Sequence, residues 1–367
     1  MKYRIHPKTG DRISEIGIGS ASLSSVKDAD MVQALRAAYE GGINYFDLAS
    51  AQGKAFRIWR EALGDVRKDV FYQIHFGADY SRGSYGWSLD LDTVKRSVEW
   101  QLKELNTDYI DYGFIHCQDE VRDWQTYQRN GVYRYLLSLR DQGVVRHTAL
   151  SSHTPAVIHR ILDDADVDTL MFSVNPAYDY GHGEFANGSV GERAAVYTRC
   201  ERERIGISVM KPFSGGQLLS VSRSPFGQAL TPYQCLRYAL DRPGVVTALC
   251  GAQSVDQVRQ LLAYDAQPDS ETDYHVIASF APVGAVGRCV YCNHCCPCPQ
   301  GLDIGLINKY YDLALEGDPL AAEHYRTLEK TAADCVRCGH CDRRCPFGVA
   351  QSDRMREIAE RMDTSAR

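Results

Sequence analysis

The 367-residue sequence has no long apolar run and no long run of basic residues. No stretch approaches the roughly 18 apolar residues of a membrane-spanning helix, so the sequence predicts none. Its net charge is −6, which disfavours nucleic acid or an anionic membrane as a partner. The first residues, MKYRIHPKTGDRISEIGIG, lack the apolar region of a secretory signal. We therefore expect a cytoplasmic protein.

Cysteine, in contrast, is abundant, with 13 residues in the chain. Disulfides are rare in a reducing compartment, so clustered cysteines are expected to bind metal or to act in catalysis. Eight of them form two similar patterns near the end of the chain. The first pattern is Cys289, Cys292, Cys295 and Cys298, followed by Pro299, and the second is Cys335, Cys338, Cys341 and Cys345, followed by Pro346.

This spacing is typical of ferredoxins with two clusters, in which the cysteine before the proline binds the other cluster. It predicts two 4Fe–4S clusters. One would be held by Cys289, Cys292, Cys295 and Cys345, and the other by Cys335, Cys338, Cys341 and Cys298. A pair of zinc sites is the alternative, although zinc sites usually consist of two CxxC halves farther apart. Cys296 lies outside the pattern and is predicted to be a packing residue.

Two segments between the cysteine groups, DIGLINKYYDLALEG and PLAAEHYRTLEKTAADC, carry apolar residues at helical spacing. Residues 283–367 are therefore predicted to form a small helical ferredoxin-like domain.

Residues 1–275 alternate short apolar strands with amphipathic helices, which predicts a parallel (β/α)8 TIM barrel. No G-x-G-x-x-G follows a strand, which disfavours a Rossmann domain. The predicted strands are 15–19, 43–47, 70–75, 109–116, 147–151, 169–174, 206–211 and 246–251. Active sites of such barrels lie at the carboxyl ends of the strands. The polar residues expected there are Asp47, His75, His116, Ser151, Asn175 and Lys211.

Several motifs carry a resemblance to the aldo-keto reductase family, in the subfamily with a fused two-cluster module. They are AYEGGINYFDLA, LNTDYIDYGFIH, MFSVNPAYD, VMKPFSGG and VVTALCGAQSVDQVRQLL. The resemblance implies carbonyl reduction by hydride from NADPH, with a tyrosine, an aspartate, a lysine and a histidine at the barrel mouth. Asp47 and His116 match two of these residues. Gln52 stands at the tyrosine position, and His75 stands near the end of the third strand, where the lysine is expected.

Gln52 has no ionisable proton and cannot be a general acid, whereas His75 can be one. We therefore predict that His75 donates the proton and that His116 orients the substrate. Two alternatives remain for the histidines: polar strand-end residues without a role, or a metal site of two histidines and Asp47.

The nucleotide residues that the resemblance implies are largely neutral. Gly251, Ser254, Gln257 and Arg259 would meet the phosphates, and Arg259 is the one basic residue in this loop. Ser151, Ser152, Met210 and Lys211 would lie near the nicotinamide. The alternative is that the segments KPFSGG and GAQS are ordinary barrel loops, in which glycine allows tight turns.

Aromatic residues follow two strands, in GADYSRGSYGW and NPAYDYGHGEF, and predict a pocket for an aromatic or polyhydroxylated substrate. Packing over the barrel is the other interpretation. The favoured function is an oxidoreductase that takes electrons from the clusters, with a ferredoxin or flavoprotein as possible donor, or from NAD(P)H. The alternatives are a redox-neutral lyase or isomerase that uses His75 and His116, and an electron-transfer or redox-sensing subunit.

Overall fold

A computed structural model describes residues 1–20, 26–183, 185–279, 287, 289, 291, 295–315, 321–345 and 347–363. The chain begins with an antiparallel hairpin of β1 (Tyr3–Ile5) and β2 (Arg12–Ser14). Eight parallel strands then close a barrel, which confirms the predicted fold, and each predicted strand is found to within two residues at either end. They are β3 (Ile16–Gly19), β4 (Tyr45–Asp47), β5 (Phe71–Phe76), β8 (Ile110–Ile115), β9 (Val145–Ser151), β10 (Thr169–Ser173), β11 (Gly206–Met210) and β12 (Val245–Cys250).

A second hairpin, β6 (Ala78–Asp79) and β7 (Gly86–Trp87), follows β5 directly and pairs antiparallel. Because it leaves from the carboxyl end of β5, it lies at the mouth of the barrel. Strand β5 pairs next with β8, so the hairpin is inserted between two neighbouring barrel strands.

Helices surround the barrel and bury one face each, as their apolar spacing predicts. They are α1 (Asp28–Glu40), α2 (Lys54–Leu63), α3 (Leu91–Leu105), α4 (Val121–Arg129), α5 (Val132–Asp141), α6 (Pro155–Asp164), α7 (Pro176–Asp179), α8 (Val190–Arg202), α9 (Pro232–Leu240), α10 (Val255–Leu262) and α11 (Asp269–Thr272). Short 3-10 turns cover Gly64–Asp69, Ala263–Ala266 and His275–Ser279. No described helix has the length and apolarity to cross a membrane.

The amino-terminal end of the barrel is closed by side chains. Ile13 of the first hairpin packs with Tyr45 and Tyr112 inside the strands, and the Tyr112 hydroxyl donates to the Asp11 carboxylate at 2.5 Å. The polar strand ends lie at the opposite side, where chemistry is expected.

The carboxyl-terminal region is helical between and after the two cysteine groups, as predicted. Its helices are α12 (Ile304–Leu315), α13 (Ala321–Arg326), α14 (His340–Arg344) and α15 (Gln351–Ile358), with a 3-10 turn at Ala332–Asp334 and a final turn at Ala359–Asp363. Ile307, Tyr311 and Met355 form its own small core. This region packs on the barrel through Phe347, whose ring centroid lies 5.9 Å from that of Tyr180. The predicted boundaries at 275 and 283 stay predictions, because residues 280–286 lie outside the described part.

Candidate active site

Asp47 and His75 end two neighbouring barrel strands and meet at the mouth. Strand β4 ends at Asp47, and His75 lies one residue before the end of β5. His75 Nε2 lies 2.8 Å from Asp47 Oδ1, and the Gln73 amide donates to the same oxygen at 2.7 Å. His75 is 1% exposed, so this pair sits below the surface of the mouth. The buried aspartate thereby fixes the orientation of the imidazole.

His116 extends this pair into a row of hydrogen bonds. It directly follows β8, and its Nδ1 lies 2.9 Å from Nδ1 of His75. The Tyr85 hydroxyl lies 2.7 Å from the other ring nitrogen of His116, Nε2. With Asp47 ionised, one assignment satisfies every group: Tyr85 donates to His116, His116 donates to His75, and His75 donates to Asp47. We call Asp47, His75, His116 and Tyr85 the proton row.

Burial keeps the outer half of the proton row neutral. Burial, followed by the neighbouring His75 and His153, holds the pKa of His116 well below its usual value. Burial also raises the pKa of Tyr85 to about 12. At neutral pH His116 is therefore an uncharged acceptor, and Tyr85 keeps its proton.

Gln52 lies beside the hairpin that carries Tyr85. Its backbone forms an antiparallel bridge with Ser84, and the Tyr85 amide donates to the Ala51 carbonyl at 3.0 Å. The loop after β4 and the second hairpin are thus joined by their backbones. The sequence indicates Tyr85 only as one aromatic residue of the predicted pocket, because no spacing in the sequence reveals this bridge.

A second polar set lies across the mouth. His153 Nδ1 lies 2.8 Å from the Asp119 carboxylate, and its Nε2 lies 3.1 Å from Nζ of Lys211. Lys211 also lies 3.8 Å from the centroid of the Phe185 ring. Burial opposes the change, but hydrogen bonds from the side chain and backbone of His153 and from Ser152 lower the pKa of Asp119 to about 2. The lysine at the end of β11 is therefore held in one position.

Two groups of three side chains at the mouth contain residue types that can bind a single metal ion. Ligand atoms of Cys117, Asp119 and His153 all lie within 4.8 Å of one another. The Lys211 ammonium beside His153 disfavours a cation there, because like charges repel. Asp47, His75 and His116, all within the described part, do not form such a group. Their atoms follow one another in a row rather than converging, which argues against the metal-triad alternative.

The polar residues predicted at this end of the barrel, Ser151 and Ser152 near a nicotinamide among them, bond mostly to neighbouring barrel loops. Ser151 Oγ accepts from the Cys117 amide at 2.8 Å, and Ser152 Oγ donates to Asp119 at 3.1 Å. The Asn175 amide donates to the Lys211 carbonyl, and its oxygen caps α7 at Tyr178. Asn175 therefore holds two loops together, and Met210 is half-buried at the end of β11.

The predicted phosphate residues lie around the start of α10. Gly251 is exposed directly after β12, Ser254 caps the helix by accepting from the Gln257 amide, and the Gln257 side chain accepts from the Gln253 amide. Arg259 is 73% exposed and pairs with the exposed Asp256 at 3.1 Å. Such a surface pair is worth about 0–1 kcal/mol, and the aspartate offsets the arginine charge.

The predicted aromatic pocket divides into two groups. Tyr80, Tyr178 and Tyr180 are buried packing residues, and Tyr80 stacks on Trp100. Tyr85 and Trp87, in contrast, remain 41% and 43% exposed. The second hairpin therefore supplies the accessible aromatic surface at this mouth.

The predicted cluster cysteines also divide into groups. One cavity is lined by all four thiols of the second predicted set, Cys298, Cys335, Cys338 and Cys341. Cys289 and Cys345 instead pack against the barrel core, while Cys295 lies in the core of the helical region. Cys292 and Pro346 lie outside the described residues. Cys296 packs beside this core, as predicted.

The sequence matches the model of the aldo/keto reductase family over residues 15–225. An uncharacterized oxidoreductase of Bacillus subtilis is 25% identical over 273 residues, which cover 68% of this chain and 86% of the relative. L-Galactose dehydrogenase of Arabidopsis thaliana is 30% identical over 128 residues, 32% of this chain and 38% of that protein.

Solved structures with the same fold are also found. The holo form of an aldo-keto reductase from Bacillus halodurans is 22% identical with a TM-score of 0.61, covering 74% of this chain and 94% of that one. An aldo/keto reductase from Klebsiella pneumoniae, solved with NADP and acetate, is 19% identical with a TM-score of 0.56, covering 72% and 90%.

Proposed function

Because the chain belongs to the aldo/keto reductase family, whose members are oxidoreductases, we propose that it reduces the carbonyl group of a small aromatic or polyhydroxylated substrate at the mouth of the barrel. The observation that carries this proposal is the proton row. Carbonyl reduction needs a proton at the new hydroxyl, and the row stores protons next to an accessible aromatic surface. Gln52 and His75 stand where the family resemblance implies a tyrosine and a lysine. Ionisable groups still lie together at the carboxyl ends of the barrel strands.

Within the row, His75 and His116 have different tasks. His75 is buried, and its ring nitrogens face Asp47 and His116, so it supplies a proton through His116 rather than to the substrate directly. Asp47 holds the His75 ring in place through its contact with Nε2, which leaves Nδ1 of that ring directed at His116. His116 orients the oxygen-bearing groups at the mouth and passes the proton outward.

A nicotinamide cofactor fits the residues around β9, β11 and α10. The NADP complex of the Klebsiella relative supports the same cofactor here. The exposed Gly251 and the amino terminus of α10 suit an anionic phosphate, and Ser151, Ser152, Met210 and Lys211 would border the nicotinamide. Such a cofactor supplies hydride when bound. With Gln257 neutral and Arg259 paired to Asp256, little in the described part of this helix favours NADPH over NADH.

For the cysteine groups we propose two 4Fe–4S clusters, on the repeated spacing of the cysteines and on the cavity that the second set lines. A tetrahedral zinc site with Zn–S bonds of about 2.3 Å places its sulfurs about 3.8 Å apart. The four thiols around the cavity are all described, and no three of them lie within 4.8 Å of one another. That wider spacing favours a larger group over a single ion. When bound, such clusters carry electrons, and a ferredoxin or flavoprotein would be the partner that exchanges them.

Anaerobic assays of the full-length protein test the proposal. The protein is incubated with NADH or NADPH and either 4-nitrobenzaldehyde or glyceraldehyde, while nicotinamide and cluster absorbance are followed separately. Nicotinamide oxidation that depends on the carbonyl supports reduction at the barrel. If neither nucleotide binds and neither is oxidised, nicotinamide-dependent reduction is wrong. Bleaching of cluster absorbance by a nucleotide would show that the two electron carriers communicate.

A further inference from the structure

We propose that Tyr85, supplied by the second hairpin, is the catalytic acid that protonates the substrate oxygen. This inference rests on the proposed carbonyl reduction. Gln52, at the family's tyrosine position after β4, has no proton to donate. Tyr85, which lies in a different loop, takes over that role.

The first support is the place of Tyr85 in the proton row. Its hydroxyl lies 2.7 Å from His116 Nε2, while the opposite end of the row is anchored on Asp47. Tyr85 is 41% exposed, compared with 6% for His116 and 1% for His75. Tyr85 is therefore the most accessible member of the proton row.

The second support is how the hairpin is held. The Tyr85 amide donates to Ala51, and the Gly53 amide donates to the Gly83 carbonyl at 3.0 Å. The Ser88 amide donates to Gly77 at 2.8 Å, which ties the end of the hairpin to the end of β5. The loop that carries Tyr85 is thus bonded on both sides. The backbone that carries Tyr85 is therefore fixed beside the backbone of Gln52 rather than lying on a free loop.

The proton balance of the step follows from the row. In the loaded state, the row holds one more proton than in the neutral assignment above: His75 carries protons on both ring nitrogens, His116 carries its proton on Nε2, and Tyr85 keeps its own. As the substrate carbon gains hydride from a reduced nicotinamide, its oxygen takes the C=O π electron pair and the Tyr85 proton. The phenolate recovers a proton from His116 Nε2, and His116 Nδ1 recovers one from His75. The alcohol leaves, the row is back in the neutral assignment with Asp47 ionised throughout, and a proton from solvent reloads His75.

The groups around Tyr85 explain why this residue needs the rest of the proton row to act as an acid. Burial raises the pKa of Tyr85 to about 12, so the isolated phenol is a poor acid near neutrality. The titratable groups near Tyr85 and His116 are His75 from β5, Cys117 and Asp119 after β8, and His153 after β9. The Tyr85 hydroxyl is bonded to His116, and burial raises the pKa of the nearby Cys117 thiol to about 12, so that thiol does not stabilise a phenolate. Proton return from His116 supplies that stabilisation.

Tyr85→Phe tests the assignment in the full chain. It removes the hydroxyl and keeps the ring, so turnover of 4-nitrobenzaldehyde should fall about 10²- to 10⁴-fold with KM changed less than about threefold. In the parent protein, reduction should slow as pH rises and the row loses its stored proton. That slope should disappear in the variant. Tyr39→Phe, which removes an exposed hydroxyl bonded to Asp69 on the barrel exterior, is the matched control and should change neither quantity.

Two further measurements separate this inference from the proposed function. Adding Gln52→Tyr to Tyr85→Phe places a phenol on the neighbouring loop that is bonded to the hairpin. Turnover of this double variant should be at least tenfold higher than that of Tyr85→Phe alone. NMR of 15N-histidine protein should show the His116 ring signals shift in Tyr85→Phe while those of His147 stay. Full activity of Tyr85→Phe, or unchanged His116 signals, would overturn the role of Tyr85. A different outcome is that the parent protein reduces neither 4-nitrobenzaldehyde nor glyceraldehyde while the His116 signals shift in Tyr85→Phe. That result would confirm the contact between Tyr85 and His116 but would contradict both the proposed carbonyl reduction and the catalytic role of Tyr85.

Discussion

Nδ1 of His75 lies 2.9 Å from Nδ1 of His116, so one imidazole must donate to the other. Asp47 decides the direction, because its carboxylate accepts from Nε2 of His75 and leaves Nδ1 of that ring as the acceptor. His116 then has Nε2 available to accept from Tyr85. One buried aspartate thus sets the tautomers of two histidines and the orientation of a phenol.

His75→Gln should interrupt this row. The amide cannot be protonated near neutral pH, so turnover should fall about 10²- to 10⁴-fold, and the slowing of reduction with rising pH should be lost. The measurement is a pH profile of carbonyl reduction. His147→Gln is the control, since His147 also faces an aspartate, Asp11 at 3.3 Å, but at the closed end of the barrel. Full activity of His75→Gln would show that the proton comes from elsewhere.

Gly77→Ala should displace His116 without removing any polar group. Gly77 has a φ of +133°, and an added Cβ would lie 3.1 Å from Cβ of His116. A displacement of His116 by up to about 1 Å should lower kcat/KM by roughly 10- to 10²-fold. Gly10→Ala is the matched control: its φ is +79°, and no atom lies within 4 Å of an added Cβ. Both variants should lose about 1 kcal/mol of stability through backbone strain, and activity should suffer only at Gly77. Equal activities would contradict this placement of His116.

The sequence predicts the barrel and its inner site because strand ends follow simple rules. Alternating apolar segments identify the strands, and parallel strands bring their carboxyl ends to one side, which places Asp47, His75 and His116 together. Tyr85 could not be found this way. Its position depends on the register of a two-residue hairpin and on a bridge between Gln52 and Ser84, neither of which leaves a periodic signal. Likewise, Asn175 has the right position for a site residue but is used to cap α7.

Nucleotide preference should be weak and should depend on Asp256. Because Arg259 is exposed and paired with this aspartate, NADPH should bind less than about a hundredfold tighter than NADH, which corresponds to about 2.7 kcal/mol. Asp256→Asn removes the opposing charge and should raise the preference for NADPH severalfold. Asp353→Asn, in the similar exposed pair with Arg356 on α15, should have no effect. Titration with each nucleotide measures both. A strong preference in the parent protein would mean that cations other than Arg259 bind the 2′-phosphate.

The cysteine groups predict crossed ligation of the two clusters. Anaerobically prepared protein should contain about eight iron and eight sulfide per chain. Cys345 and Cys289 both pack against the barrel core, whereas Cys298 shares a cavity with Cys335, Cys338 and Cys341.

Serine variants test this pairing by electron paramagnetic resonance of the reduced protein. Cys345→Ser should alter the same cluster signal as Cys289→Ser, because a hydroxyl replaces one of the thiolates of that cluster. Cys298→Ser should alter the other signal, together with Cys335→Ser. Cys296→Ser is the control, since this thiol lies outside the repeated spacing, and it should retain all the iron. Zinc in native protein would contradict the clusters themselves, whereas a shared signal for Cys345→Ser and Cys335→Ser would contradict only the crossing. The cavity favours the crossed arrangement, because Cys298 comes from the first pattern yet lies with three thiols of the second.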